Sequence, residues 1–211
     1  MMKILPSVAS ADPLHLAGEI DRLKGWPDLH FDIEDGNFTP NLTHGQKTLE
    51  AVSAYIVPRK LDVHLMVSEP LAWLPVIEKC SASSVCAHLE ALRFPLLFLN
   101  GARERGMKAG LALNLGTPWQ AVLPFADCMD YLLVMTSEPD ARGEHLNAKA
   151  YDKALEAAAS LPLPVYADGG LTVEKAIGLL HAGASGCVLG RAVFQAEDPA
   201  ALLCMIQNES N

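Results

Sequence analysis

Short runs of aliphatic and β-branched residues recur along this chain, at residues 3–7, 29–33, 61–66, 84–88, 108–113, 131–135, 164–168 and 186–189. Each is four to six residues long, the length of a buried strand rather than of a helix. Successive runs begin about 25 residues apart, with a longer interval before the seventh, which fits a strand-loop-helix unit. The gaps carry helical patterns. Asp12-Pro13 offers an N-cap followed by proline, ahead of Leu14, Leu16, Ala17, Ile20 and Leu23. Residues 50–55, 71–79, 94–105, 118–125, 149–161, 173–182 and 199–207 supply the other helices. Eight strands alternating with eight helices predict an α/β chain forming one (β/α)8 TIM barrel over residues 1–211. The rival, an open doubly wound sheet, lacks its Gly-x-Gly-x-x-Gly after the first strand.

Composition narrows the class. Apolar residues make up 50% and charged residues 19% of the 211 positions, which excludes a disordered chain. A net charge of −9 argues against a nucleic-acid partner. No apolar run approaches the roughly 18 residues that span a bilayer, so no membrane partner is expected. The opening Met-Met-Lys-Ile-Leu-Pro has no signal-peptide stretch, and a cytoplasmic location is expected. Five cysteines (Cys80, Cys86, Cys128, Cys187 and Cys204) are odd in number and scattered. They fit neither a disulfide framework nor a zinc knuckle and read as small buried apolar residues.

Candidate chemistry lies where the strands end, since barrel active sites form at the C-terminal ends of strands. The second run reads Leu29-His30-Phe31-Asp32-Ile33-Glu34-Asp35, and a period of two puts His30, Asp32 and Glu34 on one face. The third reads Leu61-Asp62-Val63-His64-Leu65-Met66, and the seventh ends Tyr166-Ala167-Asp168-Gly169-Gly170. Buried histidines and carboxylates need a hydrogen bond, a counter-charge or a metal. Two His and two Asp converging on one barrel mouth make an N2O2 set suited to zinc or another divalent first-row metal. Asp168-Gly169-Gly170-Leu171-Thr172 and Gly190-Arg191-Ala192 stand where barrels commonly bind phosphate, because glycine lets backbone N–H groups approach the anion. His88, beside Glu90, is a candidate second-sphere group. His44, His145 and His181 read as surface groups, and Trp26, Trp73 and Trp119 as packing residues.

At these residues the sequence resembles the ribulose-phosphate 3-epimerase family over nearly its whole length. The matching segments are Pro6-Ser7-Val8-Ala9-Ser10-Ala11-Asp12, His30-Phe31-Asp32-Ile33-Glu34-Asp35-Gly36-Asn37-Phe38-Thr39-Pro40-Asn41, Leu61-Asp62-Val63-His64-Leu65-Met66-Val67, Asp168-Gly169-Gly170 and Gly190-Arg191-Ala192-Val193-Phe194. The resemblance implies a TIM barrel of the ribulose-phosphate-binding type, with one divalent metal (zinc first; iron, manganese or cobalt as alternatives) on His30, Asp32, His64 and Asp168. It implies a phosphorylated ketose inverted at C3 through a cis-enediolate, with Asp32 and Asp168 as the acid and base on opposite faces. Ser7, His64, Gly143, Gly169, Gly170, Gly190 and Arg191 would contact the substrate, and Met66 and Met135 would place sulfur beside the enediolate. It also implies a homo-oligomer, to which the low charged fraction lends support.

Three departures stand out. Glu34 replaces the family's usual methionine, and Gly190-Arg191 replaces its Gly-Ser. The family's Pro-Gly-Phe-Gly-Gly-Gln becomes Pro139-Asp140-Ala141-Arg142-Gly143-Glu144, in which Gly143 alone of the glycines survives. The substrate expected is therefore a related ketose phosphate, such as a hexulose 6-phosphate of the allulose type. A Schiff-base aldolase would need a strand-end lysine, whereas Lys3, Lys60 and Lys108 stand at strand beginnings. A sugar-phosphate sensor without turnover is the non-enzyme alternative.

Overall fold

In the computed structural model, which describes residues 2–139 and 145–210, each apolar run forms a strand: β1 Lys3–Pro6, β2 Asp28–Glu34, β3 Lys60–Met66, β4 Ser84–His88, β5 Lys108–Leu113, β6 Tyr131–Met135, β7 Val165–Asp168 and β8 Gly186–Leu189. All seven strand pairs are parallel, in the order β1-β8-β7-β6-β5-β4-β3-β2. A parallel bridge between Ser7 and His30 brings the two ends of that row together, so the sheet is a nearly closed (β/α)8 barrel.

Alternation along each strand divides the core in two. Phe31, Ile33, Val63, Leu65, Val85, Leu111, Leu132 and Val134 belong to the large cluster between sheet and helices. Leu5, Cys86, Ala112, Tyr131, Leu133 and Val188, with Tyr166 against them, fill the interior of the barrel. The two tyrosine rings lie 5.4 Å apart. They leave no room for a side chain opposite: a Cβ on Gly110 would come within 2.6 Å of Tyr131, and one on Gly186 within 2.7 Å of Tyr166. Glycine stands at 110 because of the Tyr131 ring, and at 186 because a Cβ would meet the Lys3 carbonyl oxygen as well as the Tyr166 ring.

The helices are α1 Leu16–Arg22, α2 Gln46–Tyr55, α3 Leu74–Lys79, α4 Pro95–Glu104, α5 Ala148–Ser160, α6 Val173–His181, α7 Arg191–Phe194 and α8 Pro199–Glu209. Three expectations are corrected. Asp12 does not cap α1; its carboxylate accepts from the Leu14 N–H at 2.9 Å and pairs with His15 at 2.8 Å, delaying the helix to Leu16. The segment after β5 is a 3-10 helix, Trp119–Cys128, with Pro124 inside it, where proline removes a donor the α-helix needs. The stretch before α3 begins as a 3-10 turn, Pro70–Trp73, because Pro75 follows at the start of α3. Among the cysteines, Cys80, Cys86 and Cys187 are buried as expected, but Cys204 is exposed. No helix of the described residues is long and apolar enough to cross a membrane.

Candidate active site

The β2–β3 register sets His30 beside Asp62, Asp32 beside His64 and Glu34 beside Met66. One strand thus presents a ligand type and its neighbour the complementary one. His30 Nε2 lies 3.1 Å from Asp32 Oδ1 and 3.7 Å from Asp168 Oδ2. His64 Nδ1 lies 3.0 Å from Asp32 Oδ1 and 3.5 Å from Asp168 Oδ2. These four donor atoms all fall within 4.8 Å of one another.

The opposite ring nitrogens fix which lone pairs face the centre. His30 Nδ1–H donates to Asp62 Oδ2 at 2.7 Å. Asp62 is buried and also accepts from the Tyr131 hydroxyl at 3.0 Å and from the Ser84 hydroxyl. His64 Nε2–H donates to His88 Nε2 at 2.9 Å, with the rings stacked at 5.0 Å. His88 Nδ1 in turn lies 3.5 Å from Glu90 Oε2. Glu90 is anchored by the Asn114 N–H at 2.9 Å and by the Thr117 hydroxyl. Ser7 donates to Asp32 Oδ2 at 2.5 Å, leaving Asp32 Oδ1 for the centre. Two imidazole nitrogens and two carboxylate oxygens therefore converge, with the far sides of His30, His64 and Asp32 occupied. That donor set fits a divalent first-row ion.

The electrostatics agree with a site built for a cation. Burial alone would depress His30, but the Asp32 charge and hydrogen bonds from Asp32 and Asp62 overcome it and raise His30 well above its ordinary value. Burial likewise opposes Asp32, yet His30 and His64 hold it well below the usual carboxylate range. For His64, burial is outweighed by Asp168 and Asp32, and its value is raised. In each case a positive charge is wanted at the centre. Glu34 differs: burial and then the Asp32 charge push it up to about 7.

Ser7, Asp32, Glu34, Met66, Met135, Asp168, Gly169, Gly170, Gly190 and Arg191 line one cavity of about 880 Å³ at the C-terminal ends of the strands. His30 and His64 are fully buried beneath it. Gly169 and Gly170 take φ of +111° and +65° and pack against Ser137 and Leu146, positions a side chain could not share. They lead to Thr172, whose side chain caps α6. Gly143, with Asp140, Arg142 and Glu144, lies outside the described residues. His145 is exposed as expected and also lines the cavity, whereas His44 is half-buried against the Phe31 ring at 5.1 Å and is not the surface group expected. His181 is exposed as expected, and Trp26, Trp73 and Trp119 pack against the core.

Two tests probe the far side of the centre. His88→Leu removes the acceptor for His64 Nε2–H and is expected to weaken divalent-metal affinity about 10- to 100-fold, whereas His88→Gln, which keeps an acceptor, stays nearer the wild type. Competition with a chromophoric chelator measures both. Glu90 is opposed by burial, but hydrogen bonds from His88, Thr117 and backbone N–H groups hold it at about 2, below the 4.5 of a free glutamate. Its depressed folded value means that it contributes stability above pH 4.5 and loses it as pH falls toward 2. Glu90→Gln is thus expected to lower the urea midpoint at pH 7 and to lose much of that deficit by pH 3.

A family model described as the Ribulose-phosphate 3 epimerase family matches residues 3–194. Ribulose-phosphate 3-epimerase of Schizosaccharomyces pombe is 35% identical over 211 residues, covering 98% of this chain and 92% of the relative. That of Bacillus subtilis is 35% identical over 206 residues, covering 94% of each. Among solved structures, KGPDC from Streptococcus mutans aligns with a TM-score of 0.73 at 12% identity, covering 100% of this chain and 98% of that one. A tryptophan synthase alpha-subunit from Pyrococcus furiosus aligns with a TM-score of 0.71 at 14% identity, covering 100% and 99%. At such identities these two establish the fold alone.

Proposed function

Because this chain belongs to the ribulose-phosphate 3-epimerase family, we propose that it is a metal-dependent 3-epimerase of a phosphorylated ketose, inverting C3 with Asp32 and Asp168. The observation that carries this reading is that both carboxylates line one cavity, each close to the same two histidines.

Inversion needs one group to remove the C3 proton and another to return a proton from the other face. Asp32 and Asp168 come from β2 and β7, two separate sides of the barrel mouth, which suits them to opposite faces of a substrate lying between. Ser7 holds one oxygen of Asp32, fixing the orientation of that carboxylate. His30, Asp32, His64 and Asp168 would hold a divalent ion, which when bound supplies Lewis acidity toward the ketone and neighbouring hydroxyl oxygens. Met66 and Met135 give the wall beside the acids an apolar, polarizable surface that excludes water from the reacting carbon. The phosphate is assigned to Gly169, Gly170, Gly190 and Arg191, with the capped N-terminus of α6 behind them. His64 acts from beneath the cavity as a ligand rather than as a lining residue. The same reading includes a homo-oligomer in the cytoplasm; exposed Phe94, Leu96, Leu97 and Leu123 give the barrel flank apolar surface for a second copy.

The test is proton NMR in D2O with zinc-loaded protein and ribulose, xylulose and allulose phosphates. Loss of the C3–H signal with one of them, with its epimer appearing, is the expected result. Binding of a ketose phosphate without exchange would overturn the epimerase and leave a sensor.

A further inference from the structure

Glu34 stands two residues beyond Asp32 on the same inward face of β2, 7% exposed, and lines the cavity with both acids. Its backbone is fixed: the Glu34 N–H donates to the Thr43 hydroxyl at 3.0 Å, which donates to the Asp32 carbonyl at 3.1 Å. Its carboxyl is far less occupied. None of the ion pairs among the described residues includes it. The Asn41 side chain, whose Nδ2 donates to the Pro139 carbonyl at 3.5 Å, is the polar neighbour that favours its charged form, whereas a carboxylate offers about four acceptor positions. Its in-register neighbour is Met66, and Met135 lines the same wall; neither thioether can donate a proton. A buried carboxyl with open acceptor positions facing a cavity calls for a donor from whatever fills that cavity.

Resting on the reading that the cavity takes a phosphorylated ketose, we propose that the Glu34 carboxyl binds the substrate's C1 hydroxyl, at the end remote from the phosphate, and so determines both orientation and substrate choice. A phosphate dianion is repelled by a carboxylate, so the phosphate end turns away from Glu34 toward Gly169, Gly170 and Arg191. The end left for Glu34 is the hydroxymethyl group attached to the ketone. Spacing agrees: two residues along a strand separate the acids by about 7 Å, room for the short carbon path from C3 to the C1 oxygen plus its hydrogen bonds. Glu34 therefore rejects ketoses whose C1 carries a second phosphate or no hydroxyl at all. The methionine usual in the family cannot make either distinction by hydrogen bonding or charge.

The experiment uses the full zinc-loaded chain and two probes, xylulose 5-phosphate and 1-deoxyxylulose 5-phosphate, with binding measured by calorimetry. The wild type is expected to prefer the hydroxylated probe by about 30-fold, since the deoxy analogue leaves Glu34 unpartnered. In Glu34→Met the preference falls to about 3-fold or less, and Glu34→Gln, which keeps a carbonyl acceptor, retains much of it. Zinc affinity of both variants stays at the wild-type level, the readout that separates this role from metal ligation. A wild-type preference near unity, a preference unchanged in Glu34→Met, or loss of zinc from that variant would each overturn the proposal. Binding of neither probe would overturn the proposal, and absence of C3 exchange across the ribulose, xylulose and allulose phosphates would separately overturn the function on which it rests. Hydroxyl preference without C3 exchange would leave Glu34 in this role and remove the epimerase.

Discussion

Asp168→Asn is expected to slow C3 inversion by at least about 10³-fold, because the amide can neither take nor return a proton at the reacting carbon. The substitution is nearly isosteric, and the anchoring of residue 168 does not depend on its charge. Its carbonyl accepts from the Thr136 N–H at 2.6 Å and hydroxyl at 3.0 Å, and its register with Met135 and Val188 is set by the backbone. The variant should therefore fold, and its circular dichroism should match the wild type. The informative detail is asymmetry. With Asp32 intact, one epimer still presents its C3–H to a working base, so any residual exchange in D2O is confined to that epimer and yields no inversion. Asp32→Asn should show the mirror pattern. Proton NMR started from each pure epimer reads both, and full inversion by Asp168→Asn would remove Asp168 from the reaction.

The second large effect concerns stability. Asp62→Ala strips one acceptor from three donors at once: the His30 Nδ1–H and the hydroxyls of Ser84 and Tyr131. Asp62, His30, Ser84 and Tyr131 are all buried, so water cannot replace the lost carboxylate without opening the barrel floor. Each stranded donor costs about 1–3 kcal/mol, and a broken buried charge pair costs about 3–5 kcal/mol in all. A loss of about 3–5 kcal/mol in urea unfolding is expected. Asp62→Asn, which keeps one acceptor oxygen, should lose less. Because His30 is also freed to rotate, metal affinity should fall about 10- to 100-fold in the alanine variant. A change within about 0.5 kcal/mol would mean that the three donors find other partners.

Asp62 also marks where the sequence stops being informative. The alternation of Leu29 to Glu34 and Leu61 to Met66, like the ending of the seventh run at Asp168, is a property of single strands, and it places His30, Asp32, His64 and Asp168 at the barrel mouth. Asp62 stands on the same inward face of β3 as His64, yet nothing in one strand reveals that it pairs in register with His30. Registry is a relation between strands. The same holds for the His64–His88–Glu90 chain, which passes from β3 to β4, ends in the turn just after β4 and is anchored there by the loop after β5. Sequence marked His88 only as a candidate, through its neighbour Glu90. Helix boundaries erred for a different reason. At Asp12-Pro13 the aspartate spends its carboxylate on a local turn, and along residues 119–128 an apolar pattern suited to an α-helix is overridden by Pro124.

The closed floor of the barrel has a consequence for traffic. Among the described residues, Tyr131 and Tyr166, seated over Gly110 and Gly186 with Leu133 and Val188, fill the interior below the site, and the cavity opens at the mouth. On the proposed function, an ion destined for His30 and His64 would enter before the sugar and be held behind it, so a chelator should strip the ion more slowly as the cavity fills.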